Sequence, residues 1–225
     1  MPPLFGALEL GSTVKLLAIH SYERTIEDIC SLNWSGLNRA ELTAVAWAYY
    51  FFSVQFRENL ELARNLNPDD EKLLQLYQGE CDTANLSPFP GVAARGERMN
   101  HDEFMRRVLV LSDVDDRLRQ KIERLGASYL AHVRQMDSET RAISISSYEN
   151  GGLESVFRAI LKAEDWDHHS LQAFKHFLVE HIRFDSDTDV GHGALSRHMA
   201  PDDRICPLWD AFRDLLVGAA PVLLS

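Results

Sequence analysis

The chain has 225 residues, enough for one sizeable hydrophobic core and so for a single domain. It is 45% hydrophobic and 25% charged, and a net charge of −11 with no dense Lys/Arg block argues against nucleic acid and anionic membranes as partners. Its three scattered cysteines, Cys30, Cys81 and Cys206, do not make a disulfide framework or a thiolate zinc site, and no run reaches the ~18 apolar residues of a membrane span. A reduced, soluble, cytoplasmic protein is therefore expected.

Apolar residues recur at helical spacing nearly everywhere, and period-2 runs of β-branched residues are missing. A first helix is expected within 8–32. The clearest helix follows over 41–66, where Leu42, Val45, Tyr49, Phe52 and Phe56 form one stripe and Asn67-Pro68 ends it. A short helix is predicted from Asp69 to Glu80. The stretch "CDTANLSPFPGVAARGERMN", with two prolines and two glycines, reads as a loop of about twenty residues, a length that usually has a functional reason. Further helices are predicted over 99–113, 115–137, 138–162, 166–185 and 203–220. The fold class is thus all-α, one domain of seven or eight helices.

Three of these helices carry an ionisable residue where the pattern asks for an apolar one. In "HHSLQAFKHFLVEHIRFD", the steps of three and four that join Leu171, Phe174 and Leu178 land next on His181 and then on Asp185. Residues at i and i+4 share a helix face, so these two can hold a common metal ion or bond one another. In "HDEFMRRVLVL", stepping back three from Phe104 reaches His101; in "AISISSYENGGLESVFRAIL", Glu149 falls between Ile145 and Val156. Gly151-Gly152 follow Glu149 and weaken the helix at that point. A buried carboxylate needs a positive partner or a proton, and the stripes offer no Lys or Arg opposite these residues. A bound cation is the expected compensating charge, and carboxylate with imidazole and no thiolate suits iron, manganese or zinc better than calcium. Taken singly, each of these residues reads as a satisfied structural group; the set together favours a metal site.

From about residue 41 onward the chain resembles the haem-oxygenase-like di-iron oxidases and oxygenases, which include the CADD-like proteins and share their all-α fold with the TenA thiaminases. Three motifs carry the resemblance: "LYQGECD…GERMNHDEFMRRVL", "SSYENGG" and "HIRFDSDTDVGH". They match Glu80 and His101, Glu149, and then His181, Asp185 and His192. The resemblance implies a haem-oxygenase-like bundle in which these six residues hold two Fe(II) ions. Glu97 is the alternative to Glu80, and Asp187 or Asp189 the alternative to His192. It further implies O2 as co-substrate, a peroxo-type di-ferric intermediate and oxidation of a C–H, C–C or C–N unit of a small organic molecule, first of all an amino acid or a derivative. Glycines and a long loop flank three of the ligands, so a weakly held second iron is expected. Partners beyond the small-molecule substrate are not implied, and a homodimer is left open.

Tyr49, Phe52 and Phe56 read first as core and also as candidate walls of a substrate pocket, since such pockets are mostly apolar. His168 and His169 read as residues near a helix start, and His20, His132, His176 and His198 have no matched partner in the pattern. Cys81 and Cys206 lack a His/acid relay and read as core. Ferritin-like di-iron chemistry is set aside because no Glu-x-x-His motif occurs, and haem because a single axial imidazole suffices for it. Two other classes stay open: a metal-free TenA-like hydrolase or cofactorless oxidase, and a helical binding module without chemistry.

Overall fold

The computed structural model describes residues 21–80, 88–185 and 192–225, with the backbone alone at Asp185. The described residues fold into α1 (Tyr22–Cys30), α2 (Arg39–Leu66), α3 (Glu71–Glu80), α4 (His101–Val110), α5 (Asp116–Val133), α6 (Ser138–Ser147), α7 (Leu153–Ile160), α8 (His169–Asp185), α9 (His192–Ser196) and α10 (Cys206–Ala219). Among these residues there is no strand, only an isolated bridge between Phe89 and Ala93. No helix among them is long and apolar enough to cross a membrane. The expected all-α architecture is the one found. Taking α6 and α7 as one broken rod and setting aside the short α9 leaves eight helices.

Local chemistry fixes the ends of these helices. At the start of α2, Asn38 Oδ1 accepts the Glu41 N–H at 3.1 Å while the Glu41 carboxylate accepts the Asn38 N–H at 2.9 Å, a capping box that satisfies two otherwise orphaned donors. Asp115 and Asp137 accept backbone N–H groups in the same manner at the starts of α5 and α6. The ring nitrogen of His168 accepts the Ser170 N–H at 3.3 Å, so this histidine caps α8, in keeping with its position near a helix start.

Helix α2 is the axis of the molecule. Leu42, Val45, Tyr49, Phe52 and Phe56 are all buried, and the helix packs against α3, α4, α5, α6, α8 and α10. A fully buried glutamine, Gln55, ties it to its neighbours. Its Oε1 accepts the Tyr129 hydroxyl of α5, and its Nε2 donates to the Tyr148 hydroxyl at 3.0 Å. One turn on, Asn59 Oδ1 accepts from buried Arg141 at 2.8 Å, and the same guanidinium pairs with Glu58 at 3.3 Å.

The segment expected as one helix over 138–162 is broken. Between α6 and α7 lies a π turn, Tyr148–Gly152, in which Gly151 has φ +97° and Asn150 leaves the helical region. Glycine populates positive φ without the steric cost a Cβ imposes, so the Gly-Gly pair permits the wider turn. Such π turns insert one residue into a helix and often lie at functional sites.

Candidate metal centre

Five buried donors from five elements meet beside α2. Glu80 lies in α3, His101 opens α4, Glu149 sits in the π turn, His181 lies in α8, and His192 lies in α9; each is less than 10% exposed. The carboxylate of Glu80 is the middle of the group. Its Oε2 lies 2.7 Å from His101 Nδ1, and its Oε1 lies 2.8 Å from His192 Nδ1. His181 Nε2 is 3.1 Å from His101 Nδ1, and Glu149 Oε2 is 3.3 Å from His192 Nδ1. Donor atoms of Glu80, Glu149 and His192 lie within 4.8 Å of one another, close enough for one metal ion to touch all three.

The surroundings orient each donor. His181 Nδ1 lies 2.9 Å from the Phe177 carbonyl, which makes Nδ1 the protonated nitrogen and leaves Nε2 with a lone pair pointing into the cluster. The Phe177 ring packs on His181 at 4.1 Å between centroids and edge-on against His101 at 5.9 Å. Phe184 of α8 meets the His192 ring at 4.6 Å. The π turn carries Glu149 toward α9, and the Tyr148–Gln55 hydrogen bond anchors it to α2.

Burial and mutual charge set the protonation of the group. Burial pushes the Glu149 carboxyl up, and nearby Glu80 adds to the rise against the opposing pull of His192. Burial would also raise Glu80, but the His101 and His192 imidazoles hold it well below the usual carboxylate range. His192 is driven well above the ordinary imidazole value, burial opposing and Glu80 and Glu149 prevailing. His181 is lowered to about 3 by burial and then by His101. Without a metal the cluster thus centres on a Glu80 carboxylate beside a protonated His192, with His181 neutral.

The donor set fits a divalent transition metal. Among the described residues, Glu149 Oε2 and His101 Nε2 are buried without an aligned hydrogen bond, a costly arrangement that a bound ion or a ligand at the site would relieve. Oxygen and imidazole donors without thiolate favour iron, manganese or zinc.

The expected ligands are placed unequally. Glu80, His101, Glu149, His181 and His192 come together. Asp185 closes α8, but its side chain lies outside the described residues, as do Asp187, Asp189, His20 and Cys81. Glu97, the alternative to Glu80, is elsewhere: it pairs with Arg107 at 2.8 Å and accepts the Ala94 N–H at 3.0 Å, so Glu80 takes the position in the cluster.

A narrow cleft, partly open to solvent, leads to the donors. Tyr49 and Phe56 line it, together with Leu60, Leu153 and Phe177. Phe52 does not; it is wholly buried against Phe212 at 4.2 Å, because its turn of α2 faces α10 rather than the cleft. Residues that the sequence pattern did not single out also line the cleft, namely Tyr77, Asn100, Asp102 and Arg57. Tyr77 is three residues before Glu80 on the same helix face, a spacing that could have pointed to it. Arg57 is the cation among the lining residues, and Asp102 at 3.0 Å and Glu61 at 2.8 Å already neutralise it.

The fold and site together define an all-helical protein with a buried carboxylate–imidazole cluster at the end of an apolar cleft. No family model, no curated protein and no solved structure matches the chain.

Proposed function

We propose that the protein is a non-haem di-iron, O2-dependent oxidase or oxygenase of haem-oxygenase-like fold, acting in the cytoplasm on a small organic molecule. The observation that carries this reading is the position of Glu80. Its two oxygens reach two different imidazoles, so this one carboxylate would be shared between the two halves of the donor set. His101 and His181 would hold one iron and His192 and Glu149 the other, and Asp185, four residues after His181, is the further ligand expected from the sequence. The irons, when bound, supply the activation of O2.

The chain's own residues do the rest. The Phe177 carbonyl holds His181 in the tautomer that presents Nε2 to the metal. Tyr49, Phe56, Leu60 and Phe177 keep the approach to the donors apolar, which limits water and favours a substrate with a hydrophobic body. Asp102, Asn100 and Arg57 at the cleft wall offer polar contacts for orienting it. An amino acid or a derivative, with both charges and an apolar side chain, suits such a wall, and this is our first choice of substrate class.

Anaerobic titration with Fe(II), followed by exposure to oxygen, tests the proposal. Two equivalents should bind, the second more weakly, and oxygen should produce a transient visible absorption. A protein that takes up no iron, or His181→Ala and Glu149→Ala variants that bind as much as wild type, would sink it. One observation favours a second reading, a metal-free hydrolase or cofactorless oxidase: the Glu80 carboxylate lies 2.7 Å from His101 Nδ1 and 2.8 Å from His192 Nδ1, the distances of direct carboxylate–imidazole hydrogen bonds. Turnover by protein stripped of metal would identify that alternative.

A further inference from the structure

Helix α3 carries a glycine, Gly79, in its last turn, immediately before Glu80. Its backbone is helical, so no positive φ calls for glycine there, and alanine would be the better helix former. What explains it is space. A Cβ on Gly79 would stand 3.0 Å from His192 Nε2, closer than ordinary van der Waals contact. The same histidine is held from its other nitrogen, with Nδ1 2.8 Å from Glu80 Oε1 and 3.3 Å from Glu149 Oε2.

A second glycine clears the other side. A Cβ on Gly193, the residue after His192, would stand 2.9 Å from the Glu149 carbonyl oxygen and 3.6 Å from Asn150 Cα. Those are backbone atoms of the π turn, which cannot yield as the end of a flexible side chain does. Gly79 thus sets how near α3 comes to the His192 ring, and Gly193 sets how near α9 comes to the π turn. Beyond α9, a hydrogen bond between His198 Nε2 and the carboxylate of Asp70, the residue just before α3, fastens the two segments at a second point. Retreat of the ring would therefore have to be local.

We infer that Gly79 and Gly193 are positioning residues that seat His192 between the Glu80 and Glu149 carboxylates, and so set the metal affinity of the site. The inference rests on the metal reading proposed above. It predicts opposite signs for two quantities that a purely structural role would move together. Gly79→Ala should leave the melting temperature of the metal-free protein unchanged or higher, because alanine favours the helix. The same variant should weaken binding of Co(II), used as a spectroscopic probe ion, by about 10- to 100-fold, the usual cost of disturbing the supports of a ligand, and shift its visible d–d bands. Gly218→Ala in α10 is the control. Its Cβ meets only Leu125 at ordinary contact distances, 3.4 and 3.5 Å, so it should alter neither the affinity nor the spectrum.

A double-mutant cycle isolates the route of the effect. In a His192→Ala background, Gly79→Ala should have no further effect on Co(II) affinity, since the ring it crowds is gone. Gly193→Ala should behave as Gly79→Ala does toward the metal, and Gly79→Ala alone decides the matter if that variant fails to fold. Wild type that binds Co(II) while Gly79→Ala binds it equally well overturns this inference and leaves the metal reading standing. So does a loss of equal size in the His192→Ala background. Wild type that binds no Co(II) and no Fe(II) overturns both.

Discussion

Replacing Gln55 with leucine should destabilise the protein by about 2–3 kcal/mol and loosen the turn that carries Glu149. Leucine is shorter and branches one carbon earlier, but it is apolar and still fills much of the space, so the main loss is of hydrogen bonds. Gln55 Oε1 accepts the Tyr129 hydroxyl and Gln55 Nε2 donates to the Tyr148 hydroxyl at 3.0 Å, with Gln55 wholly buried and both tyrosines nearly so. After the change the Tyr129 hydroxyl has lost this acceptor inside the core, at about 1–3 kcal/mol, while the Tyr148 bond forfeits about 1 kcal/mol net. The added apolar surface of leucine offsets part of this. For a chain of 225 residues each kcal/mol moves the melting temperature by about 2–4 °C, so calorimetry should show a fall of roughly 5–10 °C. Adding Tyr129→Phe removes the stranded hydroxyl and should recover about 1–2 kcal/mol, an interaction energy that separate sites would not show. Additive losses in the double variant, or a fall below 1 °C for Gln55→Leu, would refute the idea that this network braces α2 against α5 and the π turn.

Two further outcomes follow from the site. The lowered pKa of His181, about 3 against an ordinary 6.5, means that the unfolded chain takes up this proton as pH falls through 6.5 while the folded chain does not, so stability drops with acid from there toward 3. Between pH 6.5 and 4.5 the loss is about 2 kcal/mol; denaturant titrations of metal-free protein should show a His181→Gln variant less acid-sensitive by about that amount, and parallel pH profiles would contradict it. Manganese or iron at about 100 times its dissociation constant should add about 2.7 kcal/mol of stability to wild type, read as a rise in melting temperature, and Glu149→Gln should lose most of that rise.

Helix phase made much of the fold and part of the site legible in the sequence. The stripe of α2 is buried as its spacing requires, and the same spacing places His101, Glu149 and His181 on inward faces. Phase alone does not choose between neighbours several angstroms apart in three dimensions. Tyr49, Phe52 and Phe56 occupy one stripe, yet Phe52 turns into the α10 interface while the other two reach the cleft, a distinction made by which helix lies opposite. Glu97 lies one turn before His101 in sequence, yet an Arg107 partner draws it away, because α4 begins only at His101 and the residues before it are not helical. Gly79 gave no sequence signal, for its role depends on a histidine more than a hundred residues away.

Two of the donors lie where helical regularity is broken. His101 is the first residue of α4, Glu149 sits where a rod of two helices opens into a π turn, and Glu80 and His192 are the last and first described residues of α3 and α9. Only His181 comes from the interior of a long helix, and it is the donor whose second nitrogen is fixed by its own helix, at the Phe177 carbonyl. A helix start and a π turn can set side chains at angles that continuous parallel rods cannot reach, which helps His101 and Glu149 approach the other donors. The cost is that terminal residues are held by fewer helical bonds, and the burden of fixing them passes to contacts between segments. The Gln55–Tyr148 bond, the His198–Asp70 pair and the glycine clearances at 79 and 193 are contacts of that kind. Changes at these supports should therefore alter metal affinity more than they alter the stability of the bundle, whereas changes along the α2 stripe should do the reverse.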